Sequence, residues 1–384
     1  MSKQAIRPRR VYDFVSSIFD YDLHAKRVAS LANATVGALQ GARLAVGAIG
    51  RALAVAKDLD PKHAIKQVDR FFSNTGVEVW ALFASWVPYV VGGRPEVVVA
   101  LDWTDYDADN QSTIAIHIVT KHGRATPLLW KTVVKSKLKG WRNEHEDRLL
   151  ERFHEVLPAG VKVTVLADRG FGDQALYELL RDQLGFDFVV RFRGVIQVIS
   201  ADGETKSAIA RTPNNGRSLL LPGARVTKKG RELGAVVCLK AKGMKEAWHL
   251  ATSYGDKSAA EIVSLYSKRF SIEESFRDLK NLRFGMGLSD THIGSPERRD
   301  RILLVGAIAA TLLTMLGAAG ESVGLDRRMK ANTSKERTHS LLNQGLFYFD
   351  WLLTMREERA GPLMTAFDGL VRQQATFREI FGLI

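Results

Sequence analysis

The chain has a single cysteine, Cys238, in 384 residues, which excludes an intramolecular disulfide and any metal site built from several cysteines. That usage fits a reducing cytoplasm. The nine histidines form no HExxH pattern or other paired ligand spacing. His145, in NEHEDRLL, reads as a solvated helix face and His249 as a strand residue, and neither is assigned to metal. No GxxxxGK(S/T) loop and no dinucleotide fingerprint occurs, so nothing points to ATP or another bound nucleotide. The opening MSKQAIRPRR runs into VYDFVSSIFDYD instead of an apolar core with a cleavage site, so no signal peptide is expected. Internal repeats and low-complexity segments are lacking too. Acidic residues are short: 42 against 55 Lys and Arg, a net charge of +13 and a pI near 9.8. Such a surplus favours a polyanionic partner, because each basic side chain on a phosphate releases condensed counterions. Plain solubility is the other reading of the same charge.

What is present is the composition of a soluble globular protein, 46% hydrophobic and 25% charged, with enough apolar residues for a real core. The length suggests about two to three structural units. One stretch, Ile302 to Ala319, approaches the length that spans a bilayer. It holds two Gly and two Thr, stands alone, and is flanked by RRDR and a polar tail, so a buried core helix is expected there.

The first stretch, to about Gly93, has apolar residues at three- and four-residue intervals and predicts helices. Within it Lys62, Lys66 and Arg70 are spaced four apart and share one helical face. That face suits either a phosphate backbone or plain solvent. From Pro95 the pattern turns to strands: EVVVALDW, STIAIHIVT and TPLLWKTVV. A helix in EHEDRLLERFHEVL follows, then the strand VKVTVLAD, a helix around QALYELLRDQL and the strand FDFVVRF. This order predicts a mixed sheet with helices packed on it. Between about Gly194 and Leu250 short strands and turns suggest an inserted β-rich unit. One long amphipathic helix is expected from near Ser258 to about Arg283, and mainly helices after it.

Asp102 and Asp168 each end a buried-type strand, EVVVALD and VKVTVLAD. A carboxylate in such a place is expensive to keep ionised without positive compensation. Either one alone reads as well as a turn or cap residue, but two on strands that can be neighbours suggest a shared cation. Ligands in open α/β sheets gather at the carboxyl ends of strands. In YSKRFSIEESFRDLKNLRF, Tyr266, Arg269, Glu273 and Lys280 are three, four and seven residues apart and fall on one face of a helix. Glu273 would then face the sheet edge, flanked by Arg269 and Lys280. Three carboxylates form an all-oxygen site suited to Mg²⁺ or Mn²⁺. Two such ions meet the needs of phosphodiester cleavage, one at the attacking oxygen and one at the leaving oxygen.

With these residues in view, the chain resembles the DDE transposases of bacterial insertion sequences, in the branch with a Y-x2-R-x3-E-x6-K signature. The matching blocks are Asp102-Trp103-Thr104, Asp168-Arg169-Gly170-Phe171, and Tyr266 to Lys280, covering about Pro95 to Gly287. The resemblance implies an α/β fold: an RNase H-like mixed-sheet catalytic core interrupted by a β-rich insertion, with helical N- and C-terminal regions. The expected divisions are a DNA-binding region 1–93, core 94–193, insertion 194–250, glutamate helix 251–300 and a C-terminal, dimerising region 301–384. It further implies catalysis and metal binding by Asp102, Asp168 and Glu273, with two Mg²⁺ or Mn²⁺ ions per site. Cut-and-paste chemistry through a hairpin follows, on double-stranded DNA carrying terminal inverted repeats and on target DNA. By the same resemblance Tyr266, Arg269 and Lys280 contact the DNA backbone, Thr104 and Arg169 support them, and Trp248 stacks on a flipped base. A core tryptophan on a strand is the plainer reading of Trp248. A homodimer on DNA and a cytoplasmic, nucleoid-associated location complete the expectation, with no membrane and no nucleotide. A transposase-derived regulator that binds without cutting, or a nuclease that cuts without joining, are the competing readings.

Overall fold

The computed structural model describes residues 6–227, 230–281 and 286–372. Five helices come first: α1 (Pro8–Phe19), α2 (Ala25–Gly41), α3 (Val46–Lys57), α4 (Pro61–Phe72) and α5 (Val79–Val91). α4 shows how local sequence sets them. Asp60 caps its first turn, accepting from the His63 amide at 3.1 Å, and Pro61 occupies the position where a missing N–H costs nothing. Ala64, Val68, Phe71 and Phe72 make its buried stripe, while Lys62, Lys66 and Arg70 stand exposed on the other side. α2 and α3 pack so closely that a Cβ on Gly37 would lie 2.3 Å from the Ile49 carbonyl oxygen. Glycine is required there by the approach of two backbones.

The chain then enters an eight-stranded mixed sheet. Its strands are β1 (Glu96–Tyr106), β2 (Gln111–Ile118), β3 (Thr126–Val134), β4 (Lys162–Ala167), β5 (Asp187–Arg191), β8 (Leu219–Pro222), β11 (Ala235–Leu239) and β12 (Trp248–Thr252). Across the sheet the order is β3-β2-β1-β4-β5-β12-β11-β8. β1, β4 and β5 run parallel, with antiparallel pairs on both sides of them. α6 (Arg142–Val156) links β3 to β4, and α7 (Gln174–Glu178), continued by a wider turn over Leu179–Gln183, links β4 to β5. These are the strands and crossovers expected from the sequence.

Two expectations change. The stretch 194–250 is not one unit, because β8, β11 and β12 extend the main sheet. The remainder, β6 (Gln197–Ile199), β7 (Thr205–Ser207), β9 (Arg225–Val226) and β10 (Arg231–Glu232), forms a separate four-stranded sheet. The alternation that signals a strand does not say which sheet it joins. The single long helix is also divided, into α8 (Ala259–Ser267) and α9 (Phe270–Lys280); its expected end at Arg283 lies outside the described residues. At the junction the Lys268 and Arg269 amides bond back three residues, to Leu265 and Tyr266, at 3.2 and 3.0 Å. That tighter turn keeps Lys268 and Arg269 in helical φ/ψ while separating the two helices.

α10 (Pro296–Ser322) carries the apolar stretch. It is long and apolar enough to cross a membrane, yet it is buried in the core against α2, α11 (Leu341–Trp351), α12 (Glu357–Arg372) and β3. Its first turns are charged and buried as well. Arg299 pairs with Asp109, donates to Gln111 Oε1 at 2.6 Å and lies 3.7 Å from the centre of the Tyr106 ring. Arg301 donates to the carbonyls of Phe72 and Val77 at 3.0 and 2.9 Å, and Asp300 accepts from the Thr132 amide at 3.0 Å. Arg298 reaches Asp69 and Ser73, both at 2.5 Å. The segment RRDR therefore ties the N-terminal helices to the sheet.

Candidate active site

β1 and β4 define the site by their register. Their last parallel pair is Leu101 with Ala167, so Asp102 and Asp168 occupy the next position on each strand. Asp168 follows the final residue of β4, as expected. Asp102 lies inside β1, because pairing with β2 carries β1 four residues further, to Tyr106 opposite Gln111. The two carboxylates thus flank the place where β1 loses one neighbour and keeps the other. Each is oriented by an amide: Trp103 N–H donates to Asp102 Oδ1 at 2.8 Å, and Gly170 N–H to Asp168 Oδ1 at 2.6 Å.

Glu273 comes from α9, whose Ile272, Ser275, Phe276 and Leu279 are buried. Ser275 donates to the Ala125 carbonyl at 2.6 Å and Phe276 packs on His117, which docks the helix over β1 and β2. Arg269, at the junction of α8 and α9, joins the elements. Its guanidinium donates to Asp102 Oδ2 at 3.1 Å and pairs with Glu273 Oε1, and only 4% of Arg269 is exposed. Tyr266 is buried beneath it and hydrogen-bonded to it. Tyr266, Arg269 and Glu273 are thus linked although they span two helices.

Burial pushes the Asp102 carboxyl up to about 6; Arg269 and the Trp103 amide pull it down, while Asp168 and Glu273 push it further up. Asp102 thus feels the charge of both Asp168 and Glu273. Among the described residues no three acidic, His or Cys side chains converge tightly enough to hold a metal ion, since the Arg269 guanidinium lies between Asp102 and Glu273. The donor set still fits a hard divalent cation. All its donors are carboxylate oxygens, and Asp102 is held in a place where positive charge is favoured.

A cleft of about 650 Å³ opens over the site, lined by Asp102, Trp103, Thr104, Glu273, Arg277 and Lys280. Lys280 donates to Thr104 Oγ1 at 3.1 Å and to the Asp105 carbonyl at 2.6 Å, and sits over the Tyr106 ring, fastening α9 to β1. Trp248, half-buried at the start of β12, meets Tyr266 edge-on at 4.9 Å and stacks on Phe270 at 6.0 Å. Arg169 is half exposed and pairs with Glu246 at 2.8 Å. Lys62, Lys66 and Arg70 are not brought to this cleft; they stand on α4, which packs on α2, α3 and α10.

Sequence reasoning passed over Phe270 and Glu146. Phe270, 41% exposed, extends the aromatic surface of Trp248 and carries Arg269 on its face. Glu146 is buried, accepts from the Trp103 indole at 2.7 Å and is pushed by burial up to about 7. It shares the buried face of α6 with Leu149, Leu150, Phe153 and Val156, and that spacing is a signal the sequence does carry.

The transposase DDE domain model matches residues 93–312, more than half of the chain, and the chain belongs to that family. No curated protein matches it. The protein is a transposase, an enzyme of DNA transposition and recombination of the insertion-sequence type. DNA is its partner, and enzymes of this family generally use divalent metal ions.

Proposed function

We propose that this transposase cuts and joins DNA at Asp102, Asp168 and Glu273, within an RNase H-like core, and that it belongs to the branch with the Y-R-E-K signature. The observation that carries this is the register of β1 and β4, which puts Asp102 and Asp168 side by side with Glu273 held to Asp102 through Arg269. Core residues 94–193 are completed by 251–300 and by β8, β11 and β12, and within 194–250 the smaller sheet of β6, β7, β9 and β10 acts as the insertion.

Asp102, Asp168 and Glu273 would hold two Mg²⁺ or Mn²⁺ ions, which when bound supply positive charge at the attacking and leaving oxygens of a phosphodiester. Arg269 keeps Asp102 and Glu273 facing one another before DNA arrives. Lys280 and Thr104 fix the helix against the strand, so the carboxylates keep their spacing when the strand is displaced. Trp248 and Phe270 offer an aromatic surface beside the site on which an unpaired base can stack, worth about 1–3 kcal/mol per base. This supports cut-and-paste transposition through a hairpin, in which the end is nicked, the hairpin forms and opens, and the free end is joined to target DNA.

The test is cleavage of labelled DNA carrying the element's own terminal repeats, with and without Mg²⁺, by wild type and by the Asp102→Ala, Asp168→Ala and Glu273→Ala variants. Metal-dependent cutting at the repeat end, lost in each variant with DNA binding retained, is expected. Binding without cutting in the wild type would make the chain a regulator. Cutting without joining would make it a nuclease.

A further inference from the structure

A second cleft, of about 640 Å³, borders the site on the Asp168 side, between β5, the start of β12 and the turns around the smaller sheet. Its walls carry Arg169, Arg191, Arg193, Lys240 and Lys245. Arg193, Lys240 and Lys245 form no ion pair among the described residues, and the buried Nε of Arg191 has no hydrogen-bond partner. Val195 and Ile209, also in the lining, are 74% and 62% exposed. A Cβ on Gly194 would lie 2.8 Å from the His249 ring, so the backbone passes directly over the floor.

One acid stands in this basic cleft. Glu246 Oε2 accepts from Arg169 and from Arg191, both at 2.8 Å, and those two guanidinium groups hold its carboxyl below the usual range. More than half of its side chain is exposed. An oxygen between two convergent arginines has the charge and the donors of a backbone phosphate contact. Cations interleaved with exposed apolar side chains suit a strand whose bases are free to turn toward the protein, better than a closed duplex.

We propose that this cleft binds an unpaired DNA strand leading away from the cleavage site, and that Glu246 is an internal counter-ion which a phosphate displaces from Arg169 and Arg191. The inference rests on the reading of Asp168 as part of the active site only for which strand is bound; the displacement itself is a property of the cleft. In the free protein Glu246 keeps both arginines extended and lowers attraction for stray anions. Binding moves its carboxylate into solvent, so each contact begins with a cost that a correctly placed strand offsets.

The experiment is equilibrium binding of a fluorescent twelve-residue oligothymidylate to the full chain in EDTA, where no cutting enters the reading. Wild type, Glu246→Gln and Lys240→Ala are compared over a series of salt concentrations. Glu246→Gln is expected to bind the single strand about five- to tenfold more tightly at moderate salt, with log K falling more steeply against log salt by about 0.7, one more phosphate neutralised. Lys240→Ala is expected to bind more weakly, with a shallower slope and an unchanged thermal midpoint. Unchanged binding in Glu246→Gln would make the pair an ordinary surface contact. Weaker binding would show that Glu246 positions the arginines and is not displaced. An equal gain on duplex DNA of the same length would overturn the single-strand assignment. Because none of these results depends on cleavage, failure here is separate from failure of the carboxylate assignment.

Discussion

Asp300 is buried in the second turn of α10, where burial pushes its carboxyl up to about 7, against the pull of Thr132 and Lys131. An aspartate in the unfolded chain titrates near 4, so between about pH 4 and about pH 7 the folded state holds the proton more tightly. Stability from this group is therefore greatest at low pH and is lost as pH rises through that window. Asp300→Asn keeps an acceptor for the Thr132 amide and removes the ionisation. Its thermal midpoint should fall less than that of the wild type between about pH 5 and about pH 8. Parallel curves would mean that Asp300 ionises in place without cost. Trp248 and Phe270 make a second case at this scale. Trp248→Ala or Phe270→Ala should slow hairpin formation and opening about tenfold more than the first nick, since stacking of about 1–3 kcal/mol acts only on an unpaired base. An equal loss at every step, followed on labelled end DNA, would make both rings part of the core.

At the scale of elements, α10 decides how the N-terminal helices meet the sheet. Arg299 is fully buried, and its partners Asp109, Gln111 and Tyr106 belong to the end of β1, the following turn and the start of β2. Arg299→Met should destabilise the protein by about 3 kcal/mol, because the acid left behind is buried without its main counter-charge. Urea unfolding measures this as a lowered midpoint with an unchanged slope. A change below about 0.5 kcal/mol would mean that His292, which also pairs with Asp109, suffices. The division of α8 from α9 belongs here too. Ser258 and Glu261 form a capping box that marks where α8 begins, but nothing in the spacing marks the tightened turn at Lys268 and Arg269. That turn arises from docking α9 on β1 and β2 while α8 lies against β5 and β11.

Across the whole molecule, charge is distributed over distinct surfaces. The exposed face of α4, with Lys62, Lys66 and Arg70, is outside the cleft that holds the carboxylates. We propose that it grips the duplex of the terminal repeat away from the cleavage site. Lys66→Ala should weaken binding across sequences and reduce the salt slope by about one. An unchanged slope would leave α4 a solvated exterior. Joining two ends of one element requires two active sites near each other, so we further propose a homodimer on DNA. Light scattering of the complex with end DNA should give the mass of two chains, and a single-chain complex would refute it.

The local features were legible in the sequence because each is fixed by neighbours along the chain. Helix periodicity, the strand runs of β1 to β5, the apolar character of α10, and the i, i+4 placement of Arg269 and Glu273 need no distant contact. Asp102 and Asp168 were readable as a pair for the same reason, each following its own apolar run, although β1 continues past Asp102 to Tyr106. Tertiary structure alone decided their register, the burial of Arg269 between carboxylates, and the recruitment of β8, β11 and β12 into the main sheet. Partner choice in a sheet and the depth of a charged side chain are set by residues remote in sequence. The RRDR segment shows why: its charges find their partners only in elements remote in sequence, which bury them.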